Sequence, residues 1–253
     1  MTAAPLPEIL GADAAAELER LREAFADAGL ALPAGDVFAS RLRDVLAFSD
    51  FAAESLIRDP ALLAGLLDAG LLDRPAGPGE LAARLDAVLQ ETADAEDLAL
   101  RLRRFRRREM VRIAWRDLAG LAELTETTAD LSDLAEACLE RSLDFLHRRQ
   151  CAELGAPLHA DGTPMGLVVL ALGKLGAREL NFSSDIDLIF AYAAAGETAG
   201  GRRETTHEEF FTRLGRSLIQ ILGQPGAEGF VFRVDLRLRP FGDNGPVVLS
   251  FDA

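Results

Sequence analysis

The stretch GKLGARELNFSSDIDLIF, Gly173 to Phe190, decides how the rest of the chain is read. Just upstream, Leu167 to Leu172 is a short, continuously apolar run that ends in Gly173, as a buried strand does. Ile186 to Tyr192 reads as a second strand. Between the two, Gly173 and Gly176 mark a turn that carries Lys174. Glycines let the backbone approach a phosphate closely, and lysine supplies charge for it. The spacing is not that of a P-loop, which excludes that class of ATPase. Asp185 and Asp187 stand two apart, so on a strand both side chains leave the same face. Carboxylates that close repel each other, and a divalent cation removes the conflict. Oxygen ligands on a short strand suit Mg²⁺, which keeps waters and takes phosphate oxygens as further ligands. Taken alone, the pair also describes two solvated acids on an edge strand. Ser183 and Ser184 can donate hydroxyls to phosphate, or simply lead a turn into the strand.

Downstream, Glu208 to Leu222 has helical spacing and is stopped by Gly223 and Pro225, after a mobile loop at Gly196 to Arg203. Phe230 to Leu238 is expected to be a strand. Val234, Leu236 and Leu238 alternate with Asp235, Arg237 and Arg239, so one face enters the core and the other carries one acid and two arginines. Asp235 is the candidate third carboxylate, and Arg237 and Arg239 offer planar, bidentate donors to phosphate. The same face also fits an internal salt-bridge ladder. A turn at Asp243 to Gly245 leads to a last strand, Pro246 to Phe251. With the chain ending at Ala253, Val247, Val248 and Leu249 are expected to form an exposed apolar patch that promotes association.

Upstream, residues 14 to 155 read as helices, with apolar positions at three- and four-residue spacing. Pro60 after Asp59 breaks one helix and begins another, and Arg74 to Gly79 is a loop. Ser132 is the expected N-cap of a long helix that runs past Cys151. His147 and Cys151, four apart on that helix, have no second pair of ligands beside them and read as helix packing. Six arginines lie between Arg101 and Arg108. Leu98, Leu102, Phe105, Val111 and Ile113 mark a buried side that makes the arginines a wet face, with acidic helices or an anionic ligand as alternative partners. The fold class is therefore α+β: a helical region over residues 1–155, then a core on a small mixed sheet over 156–253.

The composition narrows the function. A net charge of −14 disfavours nonspecific binding to nucleic acid. Apolar residues make up 49% of the chain, ample for a core. Two cysteines suggest no disulfide framework, and no signal peptide or membrane-spanning run is visible, so a cytoplasmic protein is expected.

Two carboxylates on one strand, a third on a later strand and an upstream glycine turn resemble the polymerase-β-like nucleotidyltransferase fold. More specifically, ALGKLGARELNFSSDIDLIF with GFVFRVDLRLRPFGDNGPVVLSF resembles the glutamine synthetase adenylyltransferase family, as do VLAFSDFAAESLIRDP and LRRFRRREMVRIAW. The similarity runs from about Val45 to the last residue. That family's enzyme has two similar halves, one removing AMP from a tyrosine of glutamine synthetase by phosphorolysis to give ADP, the other adding AMP from ATP. Asn181-Phe182 and Phe241-Gly242 resemble the removing half. Ala177 stands where the family often has a further glycine, and a helical continuation, a regulatory linker and the adding domain are expected after Ala253. The resemblance implies that Asp185, Asp187 and Asp235 hold Mg²⁺ or Mn²⁺, and that Gly173, Lys174, Ser183, Ser184, Arg237 and Arg239 bind phosphates. It implies glutamine synthetase, phosphate and ADP or ATP as partners, with the P-II signal protein and glutamine as regulators. The adenylylating direction and a non-catalytic module that binds glutamine synthetase are the alternatives.

Overall fold

A computed structural model describes residues 8–253 and shows an α+β chain with a small mixed sheet. Helices come first: α1 Glu8–Asp27, α2 Asp36–Phe48, α3 Asp50–Arg58, α4 Pro60–Asp68, α5 Glu80–Leu89, α6 Ala95–Leu118 and α7 Leu124–Leu154. Then follow β1 Val168–Ala171, the short helical turn α8 Gly173–Gly176, β2 Ile186–Tyr192, α9 His207–Gly223, β3 Val234–Asp235 and β4 Val248–Ser250. The chain forms two compact units. One takes the chain up to Pro78 together with Arg107–Asp130; the other takes Gly79–Arg106 with Leu131–Ala253.

The first unit is helical. Ser49 caps α3 by accepting the amide of Ala52, and Pro60 opens α4 where it follows Asp59, as the Asp-Pro step requires. Leu21, Phe25, Leu42, Val45, Leu56, Leu63, Leu66 and Trp115 share one buried cluster. On α6, Leu98, Leu102, Phe105, Val111 and Ile113 are buried as expected, and the arginines from Arg101 to Arg108 keep part of their surface exposed. Arg101 is bonded to Asp97, Arg104 to Glu228 and Arg107 to Asp59; the two later arginines of the helix are buried. Arg112 is buried between Glu109 (2.6 Å) and Asp130 (2.8 Å), and Arg116 bonds Glu126 and the Leu72 carbonyl.

In the second unit β2 is the central strand. It pairs antiparallel with β1 (Ala171 opposite Leu188), and parallel with both β3 at its start and β4 at its end. Helix α9 covers the sheet with Phe210, Phe211, Leu214, Leu218 and Leu222, all buried. Contact is close at Gly215, where a Cβ would lie 2.9 Å from Val248 and 3.3 Å from Phe190.

Four expectations need correction. Helix α7 begins at Leu124, so Ser132 lies inside it, and its buried hydroxyl accepts the Leu180 amide instead of capping. The first turn is held by Thr127, which bonds Asp117, a tertiary contact that overrides the weak helix propensity of Thr125, Thr127 and Thr128. The strand expected over Phe230 to Leu238 shrinks to Val234–Asp235, because the Asp235 carboxylate accepts the Arg237 amide and Arg239 N–H bonds the Leu236 carbonyl. These two bonds curl the chain into a turn and leave Leu238 exposed. Val248 is buried against α9, so the apolar patch expected at Val247 to Leu249 is absent; Phe241 and Phe251 are exposed instead. Finally, the loop Gly196 to Arg203 is pinned by bridges from Ala199 to Ala156 and from Glu197 to Thr206.

Candidate functional site

The turn after β1 exists because two positions admit no side chain. Gly173 has φ +54, and a Cβ there would sit 2.5 Å from Oδ2 of Asp187; one on Gly176 would sit 2.5 Å from the Ala171 carbonyl. Leu175 is buried and anchors the turn, while Lys174 beside it is exposed. Ala177 has an ordinary right-handed backbone, so alanine costs nothing there. The left-handed position is Arg178, φ +58, whose guanidinium bonds Asp133 and Glu136 of α7. Gly173→Ala is therefore expected to push the Asp187 carboxylate out of place. Activity should fall by about tenfold or more, while far-UV circular dichroism stays near that of the parent protein. Full activity would remove this turn from the site.

Two of the three acids are brought together by strand register. Asp187 on β2 lies directly opposite Asp235 on the parallel strand β3, and Asp185 precedes Asp187 by two residues. Leu172 N–H bonds the Asp187 carbonyl at 2.9 Å, which ties the glycine turn to the same point. The carboxylates are not equivalent. Asp185 accepts Nε of Arg233, and Asp235 accepts Nε and Nη2 of Arg237. Hydrogen bonds from the Arg237 side chain and amide hold the Asp235 carboxyl below the usual carboxylate range, so it stays ionised at neutral pH. Among the described residues, no cation pairs with Asp187. As the side chains stand, no three acids, histidines or cysteines among the described residues converge on one point. The donors are nonetheless carboxylate oxygens beside a turn with no Cβ in the way, hard oxygen chemistry of the kind that suits a divalent cation.

The remaining sequence candidates fall into two groups. Ser183 and Ser184 lie immediately before the acids, and at present both hydroxyls donate to Oδ1 of Asn181, at 3.4 and 2.6 Å. Arg237 is exposed and bonded to Asp235, whereas Arg239 folds back on the Leu236 carbonyl. They sit on a turn, not on a shared strand face.

One residue escaped the sequence reading. Arg233 bonds Asp185 and the Ser183 carbonyl, and its guanidinium lies over the Phe230 ring at 5.5 Å. Arg106 approaches the same ring at 5.1 Å and Phe232 at 5.5 Å. Burial lowers the pKa of Arg106, and the positive charge of Arg233 lowers it further. The alternation that placed Asp235, Arg237 and Arg239 on one face reaches Arg233 when extended two residues backward, so the signal was present. His147 and Cys151 lie 3.7 Å apart, and burial lowers the pKa of the imidazole and raises that of the thiol, which keeps both neutral.

Comparison with known proteins identifies the family. A family model described as glutamate-ammonia ligase adenylyltransferase matches residues 39–253. A bifunctional glutamine synthetase adenylyltransferase/adenylyl-removing enzyme of Pseudomonas aeruginosa is 53% identical over 212 residues, 83% of this chain and 22% of that protein. Proteins of the same description from Thioalkalivibrio sulfidiphilus and Nitrosococcus oceani are 51% and 47% identical, each over 98% of this chain and 25% and 26% of their own lengths. The chain thus spans about a quarter of the curated relatives it matches.

Proposed function

The chain belongs to the glutamate-ammonia ligase adenylyltransferase family, and from that premise we propose that it is the adenylyl-removing nucleotidyltransferase part of a bifunctional enzyme. The observation that carries the reading is the register of Asp187 against Asp235, with Asp185 two residues upstream and Gly173 against the Asp187 carboxylate. The substrate is a tyrosine of glutamine synthetase carrying AMP. An oxygen of inorganic phosphate attacks the AMP phosphorus, the bond from phosphorus to the tyrosine oxygen breaks, ADP forms, and the phenolate takes up a proton. Asp185, Asp187 and Asp235 would hold Mg²⁺ or Mn²⁺, which supplies neutralisation of the phosphate charge. Lys174, Arg237 and Arg239 place the phosphate oxygens, Ser183 and Ser184 donate hydroxyls to them, and Gly173 lets the backbone come close. Asn181-Phe182 and Phe241-Gly242 favour removal over addition of AMP. In the longer protein, glutamine and the P-II signal protein would regulate this step. A cytoplasmic setting fits an enzyme acting on glutamine synthetase, and no described helix is long and apolar enough to cross a membrane.

The deciding assay is release of ADP from adenylylated glutamine synthetase given phosphate and Mg²⁺. Incorporation of label from ATP into unmodified glutamine synthetase, without ADP release, would instead assign the adding direction. Binding without turnover in either assay would leave a docking module. Within the assay, Arg237→Lys is expected to lower the rate by about tenfold or more, because an ammonium cannot reproduce a bidentate grip on phosphate. A lysine variant at the parent rate would take Arg237 out of phosphate binding.

A further inference from the structure

Among the described residues, two that are not glycine have positive φ: Arg178 and Phe241, the latter at +65. For a bulky side chain this region is a genuine outlier. Arg178 has an evident reason, since its guanidinium is bound by two acids of α7. Phe241 has none of that kind: the residue is 73% exposed. The backbone nevertheless clamps it there. Gly242, φ +55, donates to the Arg239 carbonyl at 3.0 Å, and Gly245 donates to the Gly242 carbonyl at 3.1 Å. A Cβ on Gly245 would lie 2.4 Å from the Pro240 carbonyl and 3.0 Å from Phe241 Cβ, so the turn closes tightly around the strained residue. A single exposed aromatic is ordinary on a protein surface; one held out in a costly backbone conformation is not. Phe241 also comes two residues after Arg239 and four after Arg237, on the segment that leaves Asp235.

We propose that Phe241 is the aromatic face on which a planar ring attached to the bound phosphate stacks. The inference rests on the reading above, that this segment binds phosphate. Two rings are carried on the phosphorus in question, a nucleobase through its ribose and the phenol ring of an esterified tyrosine, and both share the stacking chemistry. A rigid backbone presenting an aromatic face loses little freedom on binding, which is what the strained turn secures.

The test compares the parent chain with Phe241→Gly and Phe241→Ala, by calorimetric titration with ADP, phenyl phosphate and inorganic pyrophosphate in the presence of Mg²⁺, and by thermal melting. Glycine adopts φ +65 without strain, so Phe241→Gly should melt at the same or a higher temperature than the parent. Both variants should bind at least one ring-bearing ligand about tenfold more weakly and pyrophosphate unchanged. Weakening confined to ADP assigns the nucleobase; weakening confined to phenyl phosphate assigns the tyrosyl ring. Unchanged affinity for both ring ligands overturns the proposal. So does an equal loss for pyrophosphate, or a lower melting temperature in Phe241→Gly, since either gives the ring a role in holding the turn. A parent chain that binds pyrophosphate and neither ring ligand also overturns it. A parent chain that binds none of the three removes the phosphate-binding reading itself, and the stacking role with it.

Discussion

Asp187→Asn is expected to cut AMP removal by about a thousandfold or more, roughly the several kcal/mol that metal stabilisation of the reacting phosphate supplies. The same substitution should leave the melting temperature unchanged or slightly raised. The two effects have one origin. Asp187 lies opposite Asp235 and two residues from Asp185, and among the described residues no cation pairs with it, so under the proposed function its charge is expected to serve a bound ion and to oppose the fold without one. Asp185→Asn should behave differently in stability, because it also gives up the bond from Arg233 at an exposed site, a loss of about 1 kcal/mol or less. Steady-state ADP release and thermal melts of both variants check this. Activity near that of the parent for Asp187→Asn would end the metal assignment.

The largest effect on stability is expected at Arg112→Met. Burial opposes the charge on Arg112, but Glu109 and Asp130 outweigh it and raise its pKa. Removing the guanidinium takes an ion-pair partner from Glu109, fully buried, and from Asp130, nearly so, at a cost of about 3–5 kcal/mol. Replacing Glu109 and Asp130 by leucine in the same chain should restore much of the loss, since apolar packing can substitute for a whole buried ion cluster. Urea unfolding of the parent, the single variant and the triple variant measures it. A loss below about 1 kcal/mol at neutral pH would mean that the triad is hydrated.

What the sequence made legible was local. The apolar run before Gly173 and the amphipathic pattern of α9 are each dictated by neighbouring residues, and each lies where expected, while Asp185 stands one residue before β2. Asp187, its later partner Asp235 and Gly173 are neighbours in space. What escaped was settled at a distance. Arg233 meets Asp185 across 48 residues, and Ser132 meets Leu180 across the same separation. The alternation of Val234, Leu236 and Leu238 predicted a strand that the Asp235 carboxylate ends by capturing the amide of Arg237. In α6 the apolar positions Leu98, Leu102, Phe105, Val111 and Ile113 are buried as expected, but beyond Arg108 both sides of the helix are buried and Arg112 is enclosed with its acids.

The pairing of β2 is uneven along its length. From Leu188 to Ala191 it has β1 beside it, and from Phe190 to Tyr192 it also has β4, with α9 packed across that end. Ile186 and Asp187 have only the two residues of β3, with a single amide bond from Leu172 on the other edge. Amide exchange should therefore be slowest near Phe190 and quicken toward Asp187. The strand is a reed fixed at one end, with the proposed site at its tip, where small motions would cost the rest little.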